Sequence, residues 1–545
     1  MKTAATRYEE SQTNRNIYLD RGRTAAKLTI PYLLPESNDP TSSDTDTHVL
    51  PWNGIGAKGV LNLASRTLLA LLPPTELFFR LTLNEAQVQK LGGMPPDKRT
   101  EIEQALVVLE QQILRGIEAS GDRVVIHEML LHLFVVGNAL MYLGDDGSRC
   151  FHLNRYVCNR DPMGNPVDVV ACEEVAYNQL SEKVLAIVDE DAAKDRKSQE
   201  EEDSSRTVRV YTWIKWEKNR VRWHQEVKGR LIPGTEGSSP LNTCPWLPLR
   251  MTRVDGSAYS PSFVEMATLA DLNTAESLQQ SVIECASILA IVRFLVKPGG
   301  TTNARTLANA ANGDFVPGEL GDVGALQTQK TAELQAAMVA LERVEQRLEA
   351  SFLLASPRNS ERTTAMEIRL MALELERGLG AIYSILADEF QRPYVERRLY
   401  LETKAGGLPE LDGDLVQPVL TTGVNALGRG AEVQRLQEFI QALAQIPEGM
   451  GMVNLDELGR RLANGLGIQT KDLIKSKDQI AQEQQAAQQA QMAQQAMTSP
   501  MADPQKLAMA AQAMQGMGQG GPPPGVDAEG PAEDQGEPPQ SEPQQ

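Results

Sequence analysis

LADLNTAESLQQSVIECASILAIV at residues 269–292 and TAELQAAMVALERVEQRLEASFLL at residues 331–354 are the stretches on which the fold turns. In the first, Leu269, Leu272, Ala275, Leu278, Val282, Cys285, Leu289 and Val292 recur every three or four residues, which brings them to one face of a long helix. In the second, Leu334, Met338, Leu341, Val344 and Leu348 form one stripe, and Glu342, Arg343, Arg347 and Glu349 occupy the rest. Between them Pro298–Gly324 is rich in Gly, Asn and Thr; one strand is expected there, Asp314–Val316, stopped by Pro317 and Gly318. Two long helices thus bracket a small strand-and-turn insertion. Pro357 ends the second helix, and Ser360–Thr364 precede a further helical pattern, Ala365–Tyr400, with Gly378, Gly380 and Pro393 as kink sites.

Toward the N-terminus, Arg7–Lys27 is charged and compatible with a helix, and Glu36–Thr47 has the composition of a solvated loop. From Ala57 to Leu72 the residues Val60, Leu61, Ala64, Leu68 and Leu71 keep helical spacing until Pro73-Pro74 stops it. Asp97–Ala119 and Val124–Phe134 are two more amphipathic helices. Short apolar runs between Leu140 and Arg253, such as Ala139–Leu143, Arg206–Trp216 and Val221–Val227, lie between Gly, Asn and Pro turns and read as strands. Asp189–Asp203 interrupts them with eight acidic and three basic residues, a solvated loop. Toward the C-terminus, Gln479–Gln495 holds nine Gln among Ala residues, and Met501–Gln545 has seven acidic residues against Lys506 alone, with many Pro and Gly and little to bury. That tail is expected to be disordered. The fold class is mixed α+β, dominated by helices.

The chain has 545 residues and a formal charge of −19, from 53 Lys plus Arg against 72 Asp plus Glu. Such an excess of acid argues against a tight nucleic-acid binder, whose surface needs a basic patch to displace counterions from phosphate. No apolar h-region opens the sequence and no run reaches about 18 apolar residues, so neither a secretory signal nor a membrane partner is expected. Five cysteines without a C-x-x-C pair indicate neither a disulfide framework nor a zinc ribbon, and point to a reducing compartment.

Gly54-Ile55-Gly56-Ala57-Lys58-Gly59 fits the G-x-G-x-x-G fingerprint of dinucleotide-binding enzymes and opens a helix. The buried strand that should precede it is missing, because His48–Asn53 follows a polar loop and contains Pro51. A loop feeding a helix N-terminus is the plainer reading. His127-Glu128 with His132 superficially matches a zinc-protease helix, but spacing of five places the imidazoles roughly 140° apart. Cys150, His152 and Cys158 match no standard zinc spacing. No G-x-S-x-G elbow occurs either. Nothing here argues for an enzyme, a metal or a cofactor.

A series of short stretches, in order, resembles one family. Pro51-Trp52 through Gly56–Arg66 to Ala70–Pro73, then Val135–Asn138, Arg160-Asp161 with Gly164-Asn165, and Cys244-Pro245 through Pro248–Met251 with Arg253 and Asp255-Gly256 are similar to the head-to-tail connector, or portal, proteins of short-tailed bacteriophages. So are Gly313–Val316, Glu361–Ile368, Gly380–Leu386 and Gly428–Gly430. The resemblance runs from about the first helix to Lys477 and rests on many ordered matches rather than one motif.

The resemblance implies a portal-type elongated subunit that assembles with identical copies, typically twelve, as a ring around a central DNA channel at one capsid vertex. Long one-faced helices flanking a small insertion suit packing between neighbouring copies better than closing a core within one chain. On this template residues 1–261 are the wing, 262–292 a stem helix, 293–330 the clip and 331–355 the second stem helix. Residues 356–363 are then the channel loop, 364–430 the return through the wing, 431–480 the crown, and 481–545 the tail. The implied partners are the chain itself, double-stranded viral DNA, the terminase large subunit, tail adaptor and tail tube proteins, and the major capsid and scaffolding proteins. The implied location is the virion, after assembly in the bacterial cytoplasm. Another ring protein of the phage head and tail, such as an adaptor, is the nearest alternative, and a dinucleotide-binding enzyme a distant one. DNA-contact candidates are Arg358 and Arg362 in the channel loop, with Lys297 and Arg305 in the clip.

Overall fold

The computed structural model describes residues 2–37, 39, 49–74, 77–83, 96–181, 184–187, 207–290, 293–326, 331–354, 380–406, 416–420 and a few helical positions beyond 435. Contacts divide the chain into two units, Met1–Ala431 and Glu432–Gln545. Within the second only 436, 439–442 and 458–459 are described, so the account that follows is of the first.

In chain order it contains helices α1 (Ala4–Lys27) and α2 (Ile55–Leu71), strand β1 (Phe79–Leu83), and helices α3 (Pro96–Ala119) and α4 (Asp122–Val136). Strands β2 (Asn138–Leu143), β3 (Ser148–Phe151), β4 (Tyr156–Arg160), β5 (Pro166–Ala176), β6 (Thr207–Trp216), β7 (Arg220–Val227), β8 (Arg230–Leu231), β9 (Gly237–Pro240) and β10 (Trp246–Arg250) follow. Next come helix α5 (Leu269–Ala290), strand β11 (Arg293–Val296), helix α6 (Ala304–Asn309), strand β12 (Val323–Leu326) and helix α7 (Thr331–Ser351). Helices α8 (Ala381–Leu386) and α9 (Arg392–Lys404) and strand β13 (Val416–Leu420) complete the unit.

Helix α4 is the centre of the core. Ile126, Met129, Leu130, Leu133, Phe134 and Val135 are fully buried, and together they cover most of its circumference, as befits a helix with neighbours on all sides. Gly121 and Gly137 bound it with φ of 71° and 84°, and the Gly137 N–H donates to the His132 and Leu133 carbonyls, closing the last turn. Strands β4 to β8 form one antiparallel sheet in sequence order, with β9 also on β7. Along β6 the residues Val208, Val210, Thr212 and Ile214 are buried on one face. Tyr211 and Trp213 turn to the other, where Ala4 and Tyr8 of α1 cover them with Val157, Val170 and Cys172. A smaller sheet in the order β10-β2-β3 packs its apolar residues into the main core. The ends of the unit are joined by β1 and β13, antiparallel from Phe79 opposite Leu420 to Leu83 opposite Val416.

The paired helices form as their spacing predicts, with three differences. A π-helical turn, Val264–Thr268, precedes α5, and the Leu269 N–H reaches back to the Val264 carbonyl. Met338 lies off the buried line and is 53% exposed, because Ala337 takes its place between Leu334 and Leu341. The insertion contains strands, but not Asp314–Val316. There the Asp314 carboxylate accepts the Ala311 N–H at 2.7 Å and the Asp314 N–H returns to the Ala311 carbonyl, folding the segment into a turn. The strands are β11 and β12, antiparallel from Arg293 opposite Leu326 to Val296 opposite Val323. β11 begins directly after Val292, where the expected helix stops, and neither strand was singled out in the sequence. Val292, Glu36–Thr47 in large part, Asp189–Asp203 and everything from Gln479 onward lie outside the described residues.

From Gly380 the expected helix continues through α8, a second π-helical turn (Ala387–Gln391) and α9. Gly380, with φ of 51°, begins this run. Pro393 does not end it: the widened π turn just before α9 gives its ring room that a regular turn would deny. Residues 365–379, including Gly378, are outside the described set.

Candidate functional site

The segment leading into α5 is held by a lattice of side-chain to backbone bonds. Asn138, buried at the start of β2, donates from Nδ2 to the Ser260 carbonyl at 2.8 Å and accepts the Ser260 N–H on Oδ1 at 3.0 Å. Its neighbour Gly137 has no room for a side chain, since a Cβ would lie 2.5 Å from the Ser260 oxygen. Arg160 spreads its guanidinium over the Gly164, Pro248 and Ala258 carbonyls at 3.0, 2.7 and 3.2 Å. Arg250 and Arg253 converge on Glu389, at 3.2 and 2.9 Å, which ties the π turn after α8 to the same place. Farther along, Tyr394 and Arg398 of α9 meet the buried Asp122 at the start of α4 at 2.8 and 3.7 Å. With planar, multiply bonded guanidinium groups at its centre, the arrangement is rigid.

Helix α2 is a strut across the base of the pair. Glu276 of α5 accepts the Trp52 and Asn53 N–H groups at 2.9 and 3.0 Å, just ahead of the α2 N-terminus, where a carboxylate is favoured by the helix dipole. Asn53 donates from Nδ2 to Glu345 of α7 at 2.8 Å and caps Ile55 N–H with Oδ1 at 2.9 Å. One turn of chain therefore grips both long helices. The exposed Arg347–Asp271 pair between them, at 2.7 Å, adds little to stability.

The glycines of the G-x-G-x-x-G stretch have packing roles. A Cβ on Gly56 would sit 2.4 Å from the Leu28 carbonyl oxygen, and one on Gly59 would sit 2.4 Å from the Phe352 ring; Gly54 has open space. The preceding Val49–Asn53 is irregular rather than strand. Gly56 and Gly59 let α2 approach its neighbours.

At the other end of the pair, the ribbon of β11 and β12 is held by Asp322. Its buried carboxylate accepts the Thr302 N–H at 3.2 Å and both the Thr301 and Thr302 hydroxyls at 3.3 Å, and its carbonyl accepts the Lys297 N–H at 2.9 Å. Phe315 and Leu320 at the tip are fully exposed, and Phe294 and Leu295 on β11 are more than half exposed. Of the four sequence-predicted DNA contacts, Lys297 lies in the turn after β11 and Arg305 near the start of α6, both with exposed side chains. Among the described residues neither has an ion-pair partner. Arg358 and Arg362 fall within residues 355–379, outside the described set.

A sequence profile of bacteriophage head to tail connecting proteins matches residues 1–474. The chain belongs to this family. The portal protein of Enterobacteria phage T3 is 36% identical over 478 residues, which cover 86% of this chain and 87% of that protein. The portal protein of Escherichia phage T7 is 35% identical over 483 residues, with the same coverage. That of Enterobacteria phage SP6 is 29% identical over 441 residues, covering 80% and 82%. The resemblance carried by the short ordered motifs is therefore a family relationship, and several of those motifs meet in space: Val135–Asn138, Arg160, Gly164, Pro248–Arg250 and Arg253 all belong to the lattice at the base of α5.

Connecting proteins are structural, and the other motifs of this chain sit in structural positions. His132 and His152 come together in the core with ring centroids 6.3 Å apart, a pairing that neither of the two sequence clusters indicated. Burial pushes them down to about 4 and about 3, so both imidazoles are neutral. Cys158 is buried beneath Tyr259, whose hydroxyl accepts its N–H at 2.9 Å. Burial raises the Cys158 thiol. Among the described residues no group of three or more His, Cys, Asp or Glu side chains is placed to hold a metal ion, and no helix is long and apolar enough to cross a membrane. Glu276, Asp322 and Glu389 were not singled out by sequence reasoning, and Asn62 and Asn138 stood only within matched stretches, with no role of their own. Each is an ordinary polar residue whose partner could be found only in the fold.

Proposed function

We propose that this chain is the subunit of a phage portal, a ring of identical copies at one capsid vertex through which double-stranded DNA enters and later leaves. The observation that carries the reading is the family match across residues 1–474, joined to paired long helices that flank an exposed ribbon. On this reading α5 and α7 are the stem and residues 293–330 the clip. The strand-rich part with its helices is the wing, 356–363 the channel loop and 431–480 the crown. The clip meets the terminase motor during packaging and the tail adaptor afterwards; capsid and scaffolding proteins contact the wing side.

The chemistry of the stem suits a conduit. Helix α5 carries Asp271, Glu276 and Glu284 and no Lys or Arg, and α7 carries Glu333, Glu342, Glu345 and Glu349 against Arg343 and Arg347. Each phosphate neutralised by a basic side chain adds salt-dependent affinity, so a duplex passing an acidic wall is held at a distance and slides. Sparse basic rings, from Arg358, Arg362, Lys297 and Arg305, then centre it. Negative-stain imaging of the purified protein tests the reading: rings with a central channel are expected, and monomers or closed particles would overturn it.

A further inference from the structure

Helix α7 ends in a strained turn. Leu353 has φ of +55°, a left-handed conformation that is strained for a branched, bulky side chain and that glycine would adopt freely. The turn has the hydrogen bonds of a helix stop: the Phe352 N–H donates to the Leu348 carbonyl, the Leu353 N–H to Ala350, and the Leu354 N–H to Glu349 at 2.8 Å. Among the carbonyls beyond these bonds are those of Phe352 and Leu353. Both accept from one group, the Nδ2 of Asn62 on α2, at 3.1 and 3.3 Å. The Phe352 ring is meanwhile lodged over Gly59, three residues before Asn62 on the same helix.

We propose that Asn62 is a positioning residue that sets where the second long helix stops. Were α7 to continue, Leu353 would relax to the right-handed region and its carbonyl would look four residues ahead for a donor. That residue is Pro357, which has no N–H, and proline also disfavours helical geometry at Ser356. The Leu353 carbonyl thus needs an outside donor in either conformation, and the Asn62 amide supplies it. The second hydrogen of Asn62, on the Phe352 carbonyl, selects the stopped form, because a continued helix would give that carbonyl to the Ser356 N–H.

The role of Asn62 in ending α7 is independent of the portal reading. Amide hydrogen exchange on wild type, Asn62→Ala, Asn62→Asp, Leu353→Gly and the Asn62→Ala, Leu353→Gly double variant tests it. Both Asn62 variants lack the donor and are expected to raise exchange at Leu353 and Leu354 by about tenfold, the loss of roughly one hydrogen bond. Leu353→Gly is expected to lower it, and the double variant to return close to wild type. Unchanged exchange in Asn62→Ala, or a rise that Leu353→Gly does not reverse, would overturn the proposal. If exchange behaves as stated while the wild-type protein forms no ring, the portal reading fails and the role of Asn62 in ending the helix survives.

Discussion

Asn138 and Ser260, 122 residues apart, exchange two hydrogen bonds at 2.8 and 3.0 Å in the manner of a one-residue sheet. Removing the amide leaves a buried N–H and a buried C=O without partners. Asn138→Ala is therefore expected to cost about 2–4 kcal/mol, read as a lower urea midpoint at unchanged slope. Asn138→Asp keeps only the acceptor and should be no better. A loss under about 0.5 kcal/mol in both would show that the segment before α5 is held by other means.

Gly54 and Gly59 separate a packing role from a cofactor role. Gly59→Ala forces a Cβ into the Phe352 ring and is expected to destabilise by about 1–3 kcal/mol, whereas Gly54→Ala meets open space and should be neutral. Phe352→Leu, which vacates part of the ring volume, should recover some of the Gly59→Ala loss. Equal sensitivity at both glycines in thermal melts would contradict this account.

The buried ionisable groups give stability a two-sided pH dependence. For His132 and His152, whose values fall from 6.5 to about 4 and about 3 on burial, the unfolded chain binds more protons below pH 6.5. Their contribution is intact above pH 6.5 and is lost as pH falls through 4 and then 3, on the order of 3 to 5 kcal/mol each. His132→Phe should move the acid-unfolding midpoint to lower pH, as followed by circular dichroism. Glu110 runs the other way. Burial against β1 raises it to about 7, so its neutral form is favoured in the fold and stability is lost as pH rises from 4.5 through 7. Glu110→Gln keeps an acceptor for the Leu81 N–H, 2.7 Å away, and should stabilise the protein by on the order of 2 kcal/mol at pH 8 but not at pH 4.

On the proposed portal reading Arg358 and Arg362 are the DNA contacts of the channel loop. The double variant Arg358→Ala, Arg362→Ala is expected to form normal rings and to package or retain less DNA, measured as nuclease-protected genome per particle. Wild-type yields from such particles would remove these two residues from the DNA path.

Much of this was legible beforehand. Apolar spacing located α2, α4, α5 and α7, because a helix with one buried face writes its period into the sequence. It misplaced Met338, since 3.6 residues per turn leaves two apolar neighbours, Ala337 and Met338, competing for one line, and only packing decides between them. The ribbon was harder. Arg293–Val296 follows a helical run without a break in composition and Val323–Leu326 contains a glycine, so neither strand announces itself, while Asp314–Val316 has the right residues and is bent by its own carboxylate. The lattice around Asn138, Arg160 and Glu389 and the clamp by Asn62 depend on partners roughly 85 to 290 residues away, except for Gly164, and no local pattern encodes them.

The π turn at Val264–Thr268 fixes an angle. A π turn accommodates one residue more than an α turn, and one residue corresponds to about 100° of azimuth. Everything beyond Leu269 is thereby rotated by that amount about the helix axis relative to an uninterrupted helix started at Phe263. Regularising that turn without removing a residue would preserve every apolar spacing in α5 and yet carry Leu272 and Ala275 off the buried face, bringing Asp271 and Thr274 round in their place, whereas loss of one residue with the turn would restore the bearing. The bearing of the long helix on its companion is thus a property of five residues at its foot, set before the helix proper begins.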